Sequence, residues 1–294
     1  VARAVSGANN VEYRASGREG WRARLRIDYR RDGARSVARD VHEGPLRVLR
    51  ALYPEGEGVC HHVLVHPPGG VAGGDALDID LRLGAGTHAL VTTPGATRFY
   101  RGGGRHAAQR AALRVGEGAR LEWLPLESIA YPGCDAANVV SLELAAGAQM
   151  IGWDVIALGL PESGAPFDAG CFVQELCWPG CWLERGRIDA GDRVLLDGPL
   201  GLAGERALAT MWFAGAPEDA QADALVDAAR AALAVTPLAA RSGVTRPRPG
   251  SGLVVVRALA PRVEPLMQAL VRVRAAWRMQ AWGLAAEPPR VWRT

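Results

Sequence analysis

The chain contains no lysine: all 34 basic residues among its 294 are arginine, beside abundant alanine and 36 glycines. That bias fits a GC-rich coding sequence, and it removes the Gly-Lys-Ser/Thr ending that a Walker phosphate loop requires. Cysteine is sparse: Cys60, Cys134, Cys171, Cys177 and Cys181 are odd in number and irregular in spacing, so a complete intramolecular disulfide set is impossible and a reducing compartment is expected. Aromatic residues make up only 6% of the chain, little for a sugar-binding surface. No apolar run approaches the roughly 20 residues of a spanning helix, and Val1 to Gly20 lacks the apolar centre of a secretory signal. The expectation is a cytoplasmic protein with no membrane or nucleic-acid partner. No nucleophile elbow, HExxH helix or paired glycosidase acids emerge either.

What is present is a soluble globular composition, 49% hydrophobic and 22% charged, in a chain long enough to bury about three quarters of its unfolded surface. The net charge of +3 hides blocks: residues 1 to 50 carry +6, 51 to 240 carry −11 and 241 to 294 carry +8. An acidic middle suits a cation, although charge blocks serve equally as solvated surface.

The most informative pattern recurs three times. Leu81-Arg82-Leu83-Gly84-Ala85-Gly86, Leu113-Arg114-Val115-Gly116-Glu117-Gly118 and Leu142-Glu143-Leu144-Ala145-Ala146-Gly147 each read apolar-x-apolar-x-x-Gly, with the final glycines 32 and 29 residues apart. Before the first turn Leu77, Ile79, Leu81 and Leu83 alternate with Asp78, Asp80 and Arg82, the period of a half-buried strand. Apolar stretches follow each turn at Ala89 to Val91, Leu121 to Trp123 and Met150 to Trp153. Such units cannot bury a face alone, so they are expected to stack. The fold class is therefore mainly β, with β-helix-like stacked sheets in a single domain over residues 1–294 and a flexible segment over 1–20.

Two α-helices are expected in the C-terminal third. One opens at Pro217, Glu218 and Asp219 and sets Leu225, Val226, Ala229, Ala232 and Leu233 at helical spacing. The other begins near Pro265 with Leu266, Leu270, Val273, Trp277 and Ala281 on one stripe and Arg272, Arg274 and Arg278 off it, ending before Gly283. Arg241 to Gly252 reads as a loop leading to a strand at Leu253 to Val256.

Among candidate sites, the glycine patterns beginning at Gly84 and Gly102 match a dinucleotide fingerprint in letters only, because β alternation follows where a helix is needed. His66-Pro67-Pro68-Gly69-Gly70-Val71-Ala72-Gly73-Gly74-Asp75 specifies an unusual loop, either a wide turn or a partner surface built on Pro67, Pro68, Gly69, Gly70, Gly73 and Gly74. On a strand Cys60 and His62 share a face about 7 Å apart, near enough for one borderline metal ion, with His66 about 13 Å further along. Cys60, His62 and His66 are therefore a possible weak metal site, and the bland alternative is a buried cysteine with hydrogen-bonded histidines.

Several stretches resemble the urease accessory protein D (UreD/UreH) family: GPLRVLRALYPEG at 44–56, HPPGGVAGGD at 66–75, TTPGATRFYRG at 92–102, LEWLPLESIAYPG at 121–133 and GWDVIALG at 152–159, in order and at matching spacing. LERGRI at 183–188, GLVVVRALA at 252–260 and PPRVWRT at 288–294 are weaker matches. The resemblance implies a β-helical body with two helices and a non-enzymatic maturation factor. Such a factor binds urease apoprotein, accessory protein F and the GTPase accessory protein G, and helps to install nickel, with no tightly bound cofactor and only transient Ni²⁺. By position in the motifs, Asp75, Thr97, Asp154 and Glu184 would line a nickel passage. The competing class is a carbohydrate-active β-helix enzyme, which the repeated β units and scattered acids favour.

Overall fold

A computed structural model describes residues 20–293; the opening segment expected to be flexible lies, but for Gly20, outside the described residues. The strands are β1 (Arg22–Asp32), β2 (Arg35–Glu43), β3 (Arg47–Val48), β4 (Val59–Val65), β5 (Ala76–Leu83), β6 (His88–Thr92), β7 (Thr97–Phe99), β8 (Ala107–Val115) and β9 (Arg120–Leu124). They continue as β10 (Ser128–Ala130), β11 (Cys134–Leu144), β12 (Gln149–Leu160), β13 (Ala165–Pro166), β14 (Gly170–Trp178), β15 (Trp182–Asp189), β16 (Ala207–Ala214), β17 (Ser242–Thr245) and β18 (Leu253–Ala260). The helices are α1 (Arg193–Asp197), α2 (Asp219–Ala234) and α3 (Val263–Trp282).

The three sequence repeats stack rung on rung. Leu81, Leu113 and Leu142 are register partners on the parallel strands β5, β8 and β11. After the turns, Ala89 pairs with Leu121 and Leu121 with Met150 on β6, β9 and β12. Each turn is thus an arc that passes the chain from one sheet to the other. Gly86, Gly118 and Gly147 close the arcs at positive φ, where a side chain is strained. The arcs also bind one another: Gly86 N–H donates to Glu117 O at 2.9 Å and Gly118 N–H to Ala146 O at 3.0 Å.

The result is β-solenoid-like, with three layers. A seven-stranded sheet runs in the order β15-β14-β11-β8-β5-β1-β2, and an eleven-stranded sheet has the spine β17-β18-β16-β12-β9-β6-β4-β3. Leu25, Ile27, Leu77, Leu81, Leu113, Leu142, Met150 and Trp212 fill the space between the sheets. The opposite face of the second sheet, with Trp153, Met211, Phe213 and Val254, packs on α2 and α3 through Leu225, Ala229, Leu270 and Trp277. Being covered on both sides, β12 and β16 read as nearly continuous apolar runs. The first sheet turns its other face to solvent, where Arg110 meets Asp78 at 3.7 Å and Arg82 meets Asp80 at 2.6 Å.

Both expected helices are present, and α3 ends at Gly283 in the left-handed conformation. Three details differ from expectation. The short α1 forms after the capping Asp192, whose carboxylate accepts from Leu195 N–H at 2.9 Å. Strand β17 lies inside the stretch read as a loop, paired with β18. Arg274 and Arg278, placed off the apolar stripe, are fully buried. They clamp Glu122 of β9: Arg274 Nε donates to Oε2 and Arg278 Nη1 to Oε1, each at 2.6 Å. Arg278 also pairs with Glu55, which His61 meets at 2.7 Å, and His88 Nε2 lies 3.3 Å from Glu122. The buried carboxylate explains the burial of the arginines, because an ion moved out of water needs a partner of opposite charge.

Burial alone would raise the Glu122 pKa, but Arg274, with His88 and Arg278, reverses that and holds it at about 2 against an ordinary 4.5. A carboxylate with a depressed folded pKa contributes stability above its unfolded value and loses it as pH falls through the folded one. Stability should therefore decline between about pH 4.5 and 2. Glu122→Gln should cost about 3–5 kcal/mol at pH 7, since buried Arg274 loses its carboxylate partner and Arg278 keeps only Glu55. It should also flatten this acid limb, as read by chemical denaturation across pH.

Candidate functional site

In-register stacking brings inward-facing polar side chains side by side. Gln109 of β8 is the register partner of Asn138 of β11, which is the register partner of Gln174 of β14. All three point into the space between the sheets on strands whose other inward residues are mostly apolar, and all are buried. Neighbouring strands lie about 4.8 Å apart, so the three amides span roughly 10 Å along the stacking direction. From the facing sheet, Asp154 of β12 reaches across to them. Asn138 Nδ2 donates to Asp154 Oδ1 at 2.9 Å, Gln174 Nε2 donates to Oδ2 at 2.6 Å, and Gln109 Nε2 donates to Asn138 Oδ1 at 3.2 Å.

The carboxylate sets the direction of this ladder. An ionised Asp154 only accepts, so Asn138 must present its NH₂ group, which turns Asn138 Oδ1 toward Gln109 and draws the Gln109 NH₂ group to it. Burial pushes the Asp154 pKa up from 3.8 to about 6; the amides of Gln174 and Asn138 oppose this, and the charge of Glu184 adds to it.

The ladder lies between a cavity and a cleft. At one end, Gln109 lines a cavity of about 230 Å³ together with His66, Thr93, Thr97, Ile79 and Trp123. At the other, Thr210 is the cross-strand neighbour of Asp154 and donates to Glu184 Oε1 at 3.0 Å. Glu184 also accepts from Arg257 Nε at 3.2 Å, and these three residues line a cleft of about 750 Å³.

The residues expected to line a passage therefore fall at different stations. Thr97 lines the first cavity, Asp154 sits at the centre, and Glu184 lines the second cleft. Asp75 is tied into its loop, its carboxylate accepting from Trp21 N–H and Ala72 N–H at 2.8 Å each. It lies near enough to His66 to bear on that imidazole.

Cys60 and His62 do share the inner face of β4, with Sγ 3.9 Å from Nδ1, but the same nitrogen is 2.8 Å from the Tyr29 hydroxyl. Burial lowers the His62 pKa to about 4 and raises that of Cys60. His66 does not join the pair but lies in the 230 Å³ cavity, and among the described residues no group of three or more His, Cys, Asp or Glu side chains is placed to hold a metal ion.

The glycine-rich loop packs tightly within the fold. Its Val71 exchanges hydrogen bonds with the β7 segment, donating to Arg98 O and accepting from Tyr100 N–H. A Cβ at Gly70 would fall 2.2 Å from the Tyr100 ring, and one at Gly73 would fall 2.1 Å from Gly102 O. These two glycines serve loop-to-loop approach, while Pro67, Pro68 and Gly69 form the exposed tip.

Gln109, Asn138, Gln174 and Thr210 were not singled out in the sequence. The repeat itself carries the signal for the first two. Four residues before Leu81, Leu113 and Leu142 stand Leu77, Gln109 and Asn138, an inward position that turns from apolar to polar.

The fold and site define a class: a β-solenoid-like protein whose interior holds one buried carboxylate in an amide ladder between two cavities. A family model described as UreD urease accessory protein matches residues 21–293. The chain is 55% identical over 278 residues to the urease accessory protein UreD of Leptothrix cholodnii, covering 93% of this chain and 99% of that one. It is also 55% identical over 274 residues to that of Albidiferax ferrireducens and 52% identical over 276 to that of Variovorax paradoxus, covering 92% and 93% of this chain and 99% of each relative. The chain belongs to the UreD urease accessory protein family.

The raised Asp154 pKa makes a prediction opposite in sign to that for Glu122. A folded carboxyl titrating near 6 rather than 3.8 binds its proton more tightly than the unfolded chain does, so stability falls as pH rises between those values. The loss amounts to roughly 3 kcal/mol. Asp154→Asn should remove this slope in thermal melts taken from pH 4 to 8; an unchanged slope would assign it to other groups.

Proposed function

We propose that this chain is a urease maturation factor. It binds urease apoprotein together with accessory proteins F and G and serves the GTP-dependent insertion of nickel as a scaffold and conduit, without itself being an enzyme. The observation that carries the conduit is the Gln109–Asn138–Asp154–Gln174 ladder, a polar seam in a mostly apolar interior, with a cavity against Gln109 and the Glu184 cleft beyond Thr210.

The chemistry supports transport better than storage. A conduit must admit an ion and then release it, so few oxygen ligands and retained water serve it better than a cage of thiolates and imidazoles. Asp154 supplies charge at the centre, the amide carbonyls supply neutral oxygens, and Glu184 supplies a second carboxylate beyond Thr210. Its pairing with Arg257 keeps Glu184 satisfied when no ion is near.

Partner docking finds support at the Glu184 end. Leu183, Val194 and Leu200 are exposed, Leu200 completely, and Pro199, Gly201 and Leu202 of the same segment line the cleft. Such apolar side chains are what a protein partner would cover. The site of action proposed is the cytoplasm, and no helix among the described residues is long and apolar enough to cross a membrane.

Co-expression of urease apoprotein with accessory proteins F and G, with and without this chain, tests the maturation role. Nickel content and urea hydrolysis should appear only when the chain is present. Replacing Asp154 and Glu184 by alanine should lower urease nickel several-fold while the chain still co-purifies with its partners; normal nickel in that variant would overturn the conduit.

A further inference from the structure

The loops that return the chain from the second sheet to the first stack as the strands do. Val71 bridges to Phe99, and Phe99 is the register partner of Ala130. The residues that follow, Tyr100 and Tyr131, turn to the outer face, where their rings lie 5.0 Å apart at 56°. Backbone hydrogen bonds hold both: Tyr100 N–H donates to Val71 O at 2.9 Å and Tyr131 N–H to Phe99 O at 3.0 Å. The Tyr100 ring also lies against Gly70, where a Cβ would collide with it. Three successive loops thus contribute Gly70, Tyr100 and Tyr131 to one ordered column.

Two exposed arginines flank the column. Arg98 stands two residues before Tyr100, and the stem of Arg101 lies across Gly133, where a Cβ would fall 3.1 Å from its Cγ. Packing the stem on backbone leaves the charged head in water. Neither guanidinium forms an ion pair among the described residues. The carboxylates of these loops do not neutralise them in full. Asp75 accepts from Trp21 N–H and Ala72 N–H, Asp135 lies 2.9 Å from His106 Nδ1, and Glu127 bears on Arg98 from a half-buried position.

We propose that this face, built on Tyr100, Tyr131, Arg98 and Arg101, docks an acidic segment of a partner protein. It names the chemistry of one partner in the maturation role above and rests on that role. Interface cores favour tyrosine and arginine, and a rigid ring loses little conformational entropy on burial. The column is already ordered, so docking does not have to organise it. Guanidinium groups without a partner select carboxylates, which they can grip through two parallel hydrogen bonds. A nucleic acid fits less well, because two arginines are few beside the roughly six to ten phosphate contacts that such binding uses. Glu162 and Asp168, exposed on the loop between β12 and β14, also repel phosphates. They orient an acidic protein segment as well, with its charge over Arg98 and Arg101. Gly69, Pro94 and Arg98 are exposed parts of the wall of the 230 Å³ cavity, so a partner seated here covers that rim.

The test immobilises the full-length chain and measures, by surface plasmon resonance, its dissociation constants for urease apoprotein, accessory protein F and accessory protein G in turn. Wild type is compared with Tyr100→Ala, Arg101→Glu and Arg39→Glu; Arg39 is exposed on β2, so its variant makes the same change of charge elsewhere. Affinity for one of the three proteins should fall roughly tenfold or more in both Tyr100→Ala and Arg101→Glu, at unchanged circular-dichroism melts. Arg39→Glu should bind as wild type. Added salt should weaken the wild-type complex, and Arg101→Glu should flatten that dependence. Arg98→Ala replaces either variant that fails to fold. Wild-type affinity for all three proteins in the folded variants, an equal loss in Arg39→Glu, or a complex indifferent to salt overturns the face. Duplex DNA that binds wild type and not Arg101→Glu overturns it too. Failure of the face is separate from failure of the maturation role: partners bound and urease loaded normally with Arg101→Glu refute the face alone, whereas a wild-type chain that binds none of the three refutes both.

Discussion

Successive coils stack in register, and most of the molecule follows from that constraint. A parallel strand placed directly over its neighbour repeats each side-chain position every coil, so one leucine in the repeat becomes the column Leu81, Leu113 and Leu142. The same register brings Gln109 beside Asn138 and Asn138 beside Gln174. A polar residue isolated in a core is costly, but a column of amides can hydrogen-bond along itself and then needs only one acceptor to anchor it. Asp154, reaching over from the facing sheet, is that acceptor. The core thereby gains a polar seam without losing the apolar columns that hold the two sheets together.

Two buried carboxylates face opposite ways from the second sheet and behave oppositely. Glu122, on the helix side, meets two guanidinium groups and remains ionised to low pH. It fastens α3 to the sheet. Asp154, on the solenoid side, meets only neutral amides, so burial dominates and its charge is held at a cost. A group maintained in a destabilised ionic form is matched to an incoming cation in a way that a fully paired one is not. That asymmetry is the physical reason to look for function between the sheets rather than in the larger ion cluster under the helix.

Much of the architecture was legible in the sequence because it is periodic. The apolar-x-apolar-x-x-Gly repeat gave the arcs, and helical spacing gave α2 and α3 to within a few residues. The burial of Arg274 and Arg278 was not legible. Their partner Glu122 is 152 and 156 residues away, and no local pattern marks an arginine that will meet a buried acid. Asp154 and Glu184 were reached through family motifs and not through spacing. Their link runs through Thr210, which becomes the neighbour of Asp154 only when β16 pairs with β12. For Cys60 and His62 the shared strand face was readable, whereas the Tyr29 hydroxyl that occupies His62 comes from a different sheet.

In the proposed conduit, nickel delivery depends on the polarity of the ladder and not merely on the presence of the fold. Asn138→Leu tests this, because it removes the amide oxygen and NH₂ group from the middle of the seam while keeping the number and branching of side-chain heavy atoms. Asp154 and the coil register remain. Urease should be co-expressed with accessory proteins F and G and this variant, with its metal content measured beside co-purification of the complex. The proposed conduit predicts an assembled complex whose urease carries several-fold less nickel. Fully nickel-loaded urease from an assembled complex containing Asn138→Leu would contradict it.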